Sequence, residues 1–171
     1  MTFSLKVMRT ACAAGLGVVL EHPEDLGTYY TGQHPASVWQ LAALHDLTAE
    51  FKAVRRAFHQ SPFGASSPKP SAVWSNVPLP SDLGVQGWPL FDGRGAYTGP
   101  LQRIAAPSMI MGPGVTSSTA YYPSRLCECF ANIIVNYFMD LAGDPASGGR
   151  ARALRAIDEA TDMFGGPGPQ P

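Results

Sequence analysis

Residues 16–20, Leu-Gly-Val-Val-Leu, form an apolar run that stops abruptly at Glu21-His22-Pro23-Glu24-Asp25. No other stretch constrains the fold as much. A valine-rich run with no polar residue cannot turn one face to water, so it predicts a strand covered on both faces, as in a parallel sheet flanked by helices. The polar cluster then falls at the carboxyl end of that strand, where open α/β sheets form their ligand crevice. Upstream, Phe3, Val7, Ala11 and Ala14 share one helical stripe, and Gly15 is placed to end that helix in a left-handed conformation. The expected class is therefore α/β, with a short helix feeding a buried strand.

Further along, Leu47, Phe51, Val54 and Phe58 recur at helical spacing, with Asp46 or Thr48 available as a cap and Lys52, Arg55 and Arg56 on the other side. This predicts an amphipathic helix running through Phe58. Ser71 to Asn76 reads as a second short strand between proline-rich flanks. Residues 77–122 are mostly Gly, Pro and Ser and are expected to be irregular. Pro123 suits the first turn of a helix in which Leu126, Phe130, Ile133, Ile134, Tyr137 and Phe138 give a wide apolar stripe ending near Gly143. Residues 1–143 thus form one expected α/β unit. A weaker C-terminal helix is expected within 144–164, over Arg150 to Phe164, and a disordered Gly/Pro tail over 165–171. There is no internal repeat.

Composition narrows the partners. Only 15% of the 171 residues are charged, against roughly 25% in soluble domains, which suits a chain that leans on a partner. The 18 glycines and 16 prolines imply long irregular connections. A net charge of -1 excludes the strongly basic footprint of an autonomous nucleic-acid binder, so any DNA contact must be local. Cys12, Cys127 and Cys129 are odd in number, and two lie in a helical pattern, so reduced thiols are expected rather than a secreted disulfide framework. The stretch from Cys12 to Leu20 is too short to span a bilayer. The chain is placed inside the cell, in the cytoplasm or nucleus, with no membrane partner.

Three short stretches carry a family resemblance. Gly17-Val18-Val19-Leu20-Glu21-His22-Pro23 resembles the strand of cytosine-5 DNA methyltransferases that ends in Glu-Asn-Val or Glu-Asn-Pro, with His22 in place of the asparagine. Phe58-His59-Gln60-Ser61-Pro62-Phe63-Gly64, followed by Pro68-Lys69-Pro70-Ser71-Ala72-Val73-Trp74, is similar to the family's aromatic-glycine turn, basic loop and strand. Tyr122-Pro123-Ser124-Arg125-Leu126-Cys127 resembles the final motif, where a proline turn opens a helix beside the cofactor pocket.

The resemblance implies a partial Rossmann-like methyltransferase sheet with flanking helices and a long Gly/Pro-rich loop region. It implies that Glu21 is catalytic, binding the edge of a flipped-out cytosine and assisting its protonation. His22, Gln60, Lys69 and Arg94 would contact substrate, and Tyr122 and Pro123 would stand at S-adenosylmethionine. Lys69 departs from the family's alternating arginines, since a lysine is a point charge rather than a fork. The 77–122 region corresponds in order to the target-recognition region, where Trp88, Phe91, Arg94 and Tyr97 offer stacking groups and a cation. The alternative for each is structural: Glu21 capping a turn, Lys69 solvated in a loop, the aromatics packing down.

The family's glycine-rich cofactor turn and its Pro-Cys nucleophile have no counterpart here. Cys12 lacks an adjacent proline and sits on a helix. Methyl transfer by this chain alone is therefore not expected. Gly93-Arg94-Gly95-Ala96-Tyr97-Thr98-Gly99 reads as a turn, since Pro100 follows and no strand precedes it. His22, His34, His45 and His59 lack metal-ligand spacing, and Cys127 and Cys129 point to different helix faces, so no metal is expected. Ser37 and Ser61 have no nucleophile-elbow context. The competing class is a noncatalytic interaction module, or a relic of a larger mobile-element-type polypeptide, in which the helix after Pro123 docks a complementing or self-associating chain.

Overall fold

The computed structural model describes residues 3–27, 36–102 and 121–143. Helix α1 spans Phe3–Ala13 and ends at Gly15, whose φ of +78° is the left-handed conformation expected of it. The backbone N–H of Leu16 closes onto the Ala11 carbonyl at 2.9 Å. The buried face is Leu5, Met8 and Cys12, not the stripe through Val7, Ala11 and Ala14. Two stripes compete on so short a helix, and the one facing the sheet prevails.

Strand β1 is Val19–Pro23, and it differs from expectation in place and in pairing. Its described partner is β3 (Pro70–Ser75), antiparallel, in a register that sets Leu20 against Trp74 and Glu21 against Val73. It is half-buried at the sheet edge, not covered on both faces in a parallel sheet. The Asn76 side chain explains the shift: its Oδ1 accepts from Val18 N at 2.7 Å and its Nδ2 donates to Leu16 O at 2.9 Å. The start of the apolar run is thus satisfied by a side chain. The strand is displaced into Glu21-His22-Pro23, which lie within β1 rather than beyond it.

A single-turn 3-10 helix at Val38–Gln40 leads into α2, Ala42–Phe51. The amphipathic helix expected through Phe58 stops at Lys52, which is left-handed at φ +51°. The next six residues, Val54–His59, are strand β2. Neither Asp46 nor Thr48 caps α2, because Leu41 is the N-cap. Thr48 instead donates to Leu44 O at 2.7 Å and accepts the Trp74 indole N–H at 2.8 Å. Strand β3 covers the expected second strand and pairs antiparallel with β2 from Val54↔Ser75 to His59↔Pro70.

The main sheet has the order β1-β3-β2-β4, where β4 is Val85–Gln86. Every hydrogen-bonded pair is antiparallel. Because β1 and β2 both oppose β3, they run in the same direction, with α2 in the connection between them. This is a split β-α-β arrangement. Residues 77–102 are more ordered than their composition suggests: besides β4, Leu90–Phe91 (β5) and Tyr97–Gly99 (β6) form a hairpin. The turn expected over 93–99 with no strand before it is shorter: β5 precedes it, Tyr97–Gly99 is β6, and only 92–96 turn, with Asp92 Oδ1 accepting from Arg94 N and Ala96 N, each at 2.8 Å.

Helix α3, Ser124–Gly143, begins directly after Pro123 as expected. One face of the sheet packs Ala57, Ala72 and Trp74 against Leu5, Met8, Cys12, Leu44, Leu47, Trp39 and Tyr97. The other packs Phe58 and Val73 against Leu126 and Ile133 of α3, with Val77 and Leu83. The structure is a mixed α/β fold with helices on both faces of an antiparallel sheet. Residues 103–120, the weaker helix expected over 150–164 and the tail 165–171 lie outside the described residues, as does His34.

Candidate functional site

Alternation along β1 decides what each of its polar residues meets. Glu21 pairs with Val73 and shares the α3 face, whereas His22 pairs with Ala72 and turns to the other. On the α3 face the Tyr122 phenol donates to the Glu21 carboxylate across a separation of 101 residues. Burial pushes the Tyr122 phenol up to about 12, with the Glu21 acceptor and its negative charge adding to the rise. The Lys69 ammonium lies 5.2 Å from the centre of the Tyr122 ring, within range of a cation–π contact.

Lys69 and Tyr122 border a cleft of about 250 Å³ whose walls also include Gln60, Ser66, Ser67 and Pro123; Glu21 does not line it and is joined to it through the Tyr122 hydroxyl. The connection from β2 to β3 shapes it. A 3-10 turn at Ser61–Phe63 ends on Gly64 at φ +100°, and the Gln60 backbone N–H donates to Pro68 O at 2.6 Å. Lys69, at φ +34°, then turns the chain into β3. Gln60 is wholly buried; its Nε2 donates to Ser71 Oγ at 2.8 Å, while its Oε1 has no hydrogen-bond partner among the described residues. A buried, unpartnered carbonyl is costly.

Of the residues singled out in the sequence, Glu21, Gln60, Lys69, Tyr122 and Pro123 come together here, from β1, the β2–β3 connection and the start of α3. His22 does not join them: its Nδ1 lies 3.3 Å from Pro23 O and its ring meets Trp39 edge-on at 6.1 Å. Arg94 is also elsewhere, in the β5–β6 turn, whose Tyr97 packs into the core of the opposite face. Ser66 and Ser67 belong to the cleft and were missed, because hydroxyls in a loop carry no periodic signal.

Sequence reasoning also missed a buried polar network on the opposite face. Arg55, expected on the solvent side of a helix, is only 2% exposed and forms an ion pair with Glu24. It donates to Gly87 O at 2.6 Å, and its guanidinium carbon sits 4.4 Å from the centre of the Trp39 ring. Tyr97 donates to Glu24 Oε1 at 2.9 Å, and Gln40 donates to Asp25 Oδ2 at 2.5 Å. Burial holds the Glu24 carboxyl above its ordinary range and Arg55 below its own, so desolvation outweighs the attraction between them. Trp88 stacks on His45 with ring centroids 3.9 Å apart. Trp88 and Tyr97 therefore pack down, while Phe91 stays 36% exposed.

Cys12 is buried, and burial together with Glu50 pushes its thiol up to about 11, the reverse of an activated nucleophile. Among the described residues no three His, Cys, Asp or Glu side chains gather as a metal site, and no helix is long and apolar enough to cross a membrane. Fold and site thus define a mixed α/β chain with a small, polar, aromatic-rimmed cleft. No protein-family model matches the chain, and no curated protein or solved structure is significantly similar to it.

Proposed function

We propose that the cleft beside Glu21 receives a nucleobase of DNA, and that the chain is a base-binding, catalytically incomplete relative of cytosine-5 DNA methyltransferases. One observation carries this reading: three stretches chosen by resemblance, remote in sequence, meet at one place, where Gln60, Lys69 and Tyr122 line a cleft and the Tyr122 hydroxyl donates to Glu21. The chemistry suits a base. Glu21 accepts from an amino N–H donor, tyrosine rings offer a stacking surface, and Lys69 meets a phosphate. The antiparallel β3 between β1 and β2 sets this sheet apart from a parallel Rossmann-like one, so the proposed relationship rests on the site and not on the sheet.

S-adenosylmethionine fits poorly on the described residues. Tyr122 and Pro123, the positions assigned to it, border the base cleft, and no glycine-rich turn follows a strand to seat a ribose and a methionine carboxylate. In this proposal the cofactor belongs with a complementing chain, and we derive no methyl-transfer step. The test is fluorescence anisotropy of labelled single-stranded oligodeoxycytidylate with the full chain. Saturable binding that Glu21→Gln weakens by about tenfold, with the variant still folded by circular dichroism, is expected. Equal binding of thymidylate, or none at all, rejects the base cleft. Calorimetric titration with S-adenosylmethionine is expected to show no binding, and saturation would overturn the assignment to a second chain.

A second reading, a protein-interaction module, rests on α3. Its residues Ile134, Val135, Phe138 and Met139 are 48, 55, 41 and 68% exposed, an apolar face with no cover among the described residues. β1 is also an edge of the sheet. Concentration-dependent association that Phe138→Glu abolishes would favour it. A sharp two-state melt of a dilute monomer would count against any dependence on a partner.

A further inference from the structure

The contact between Tyr122 and Glu21 sits where a ligand would bind. Tyr122 lines the cleft and Glu21 does not: the donor that Glu21 holds is the phenol of residue 122, which stands between the carboxylate and the cleft. That phenol is not locked in place by packing. Tyr122 is 45% exposed and is tied on one side to Pro123, where α3 begins. Lys69 lies over the ring at 5.2 Å and so holds the tyrosine inward by attraction to its π face. At the same cleft Gln60 Oε1 is buried without a hydrogen-bond partner among the described residues.

We propose that Tyr122 is an internal stand-in for the ligand: a latch whose hydroxyl occupies Glu21 until an amino-bearing base of a nucleic-acid strand displaces it. The proposal rests on the base-binding reading above and adds its regulation. On opening, the exocyclic N–H of a cytosine-class base donates to Glu21 in place of the phenol. Lys69, beside the opened ring, meets a phosphate oxygen of the same strand. With its phenol pushed up to about 12, Tyr122 stays a donor at neutral pH. Affinity is reduced by the fraction of molecules whose latch is open.

Removing the latch should tighten binding. In anisotropy titrations of the full chain with oligodeoxycytidylate, Tyr122→Phe is expected to lower Kd by about three- to tenfold, the range set by one hydrogen bond to a charged, partly exposed group. Glu21→Gln should weaken binding, and the double variant should behave like Glu21→Gln alone, since the latch acts only through that carboxylate. If Tyr122→Phe binds more weakly than the parent, or identically, the latch is wrong and the base cleft stands. If no variant binds at all, the base-binding reading fails and the latch is judged without ligand. For that, chains labelled with carbon-13 tyrosine are compared by NMR. The Tyr122 ring signal, assigned by its loss in Tyr122→Phe, must move in Glu21→Gln; a signal that stays put overturns the contact itself.

Discussion

Replacing Arg55 with methionine tests the buried network directly. Arg55 and Glu24 both have 0% exposed side chains. The guanidinium also donates to Gly87 O at 2.6 Å and lies 4.4 and 5.5 Å from the ring centres of Trp39 and Trp88. Methionine retains most of the stem that fills this space, so the change reports mainly on charge. Glu24 keeps the Tyr97 hydroxyl at 2.9 Å but loses its counter-ion. Breaking one side of a buried pair costs about 3–5 kcal/mol, a large share of the roughly 5–15 kcal/mol that holds a typical domain together.

The cost should depend on pH. Burial already raises the Glu24 carboxyl with Arg55 present, and removing the cation raises it further. A carboxyl whose folded pKa exceeds its unfolded value contributes stability below the unfolded pKa and loses it as pH rises through the folded pKa. The penalty of Arg55→Met is therefore small in mild acid and grows toward neutrality. Adding Glu24→Gln removes the stranded charge and should recover about half of the loss. Urea denaturation at several pH values measures all three variants. A single-variant loss below about 1 kcal/mol, no pH dependence, or simple additivity in the double variant would refute the argument.

Other consequences can be measured in the same way. Gly84 has φ +152°, and a Cβ there would lie 2.2 Å from the Ala57 carbonyl oxygen, so Gly84→Ala should lower urea-measured stability by at least about 2 kcal/mol. Thr48→Val deprives the Trp74 indole N–H of its acceptor at 2.8 Å and should cost about 1–3 kcal/mol, with a change in tryptophan emission. Under native conditions near neutral pH, iodoacetamide should modify exposed Cys127 well before Cys12, whose buried thiol is pushed up to about 11; peptide mass spectrometry gives the order, and early labelling of Cys12 would contradict its burial.

Much of the local structure was legible in the sequence. Gly15 ends α1, a strand (Pro70–Ser75) overlaps the expected 71–76 shifted by one residue, and the long helix starts directly after Pro123, because each signal is carried by neighbouring residues. The failures occurred where two periods fit one stretch. Val54 and Phe58 are four apart and so suit a helix, but both are also strand formers on one face of β2. The left-handed Lys52 and the pairing with β3 settle the competition in favour of the strand. With that switch Arg55 moves from the expected solvent side to a buried position opposite Trp74.

The candidate site divides in the same way. Sequence alone determined which side chains carry usable chemistry: Glu21 after an apolar run, Gln60 and Lys69 around a glycine turn, Tyr122 before Pro123. It could not assign them neighbours, since the Tyr122–Glu21 contact bridges 101 residues and no local propensity spans that distance. Only the tertiary structure decided that Glu21 faces α3 while His22 faces Trp39, and that Arg94 belongs to a remote hairpin. The physical reason is register: a strand shows alternate residues to opposite faces, so the partner strand and its alignment determine which polar group reaches the cleft.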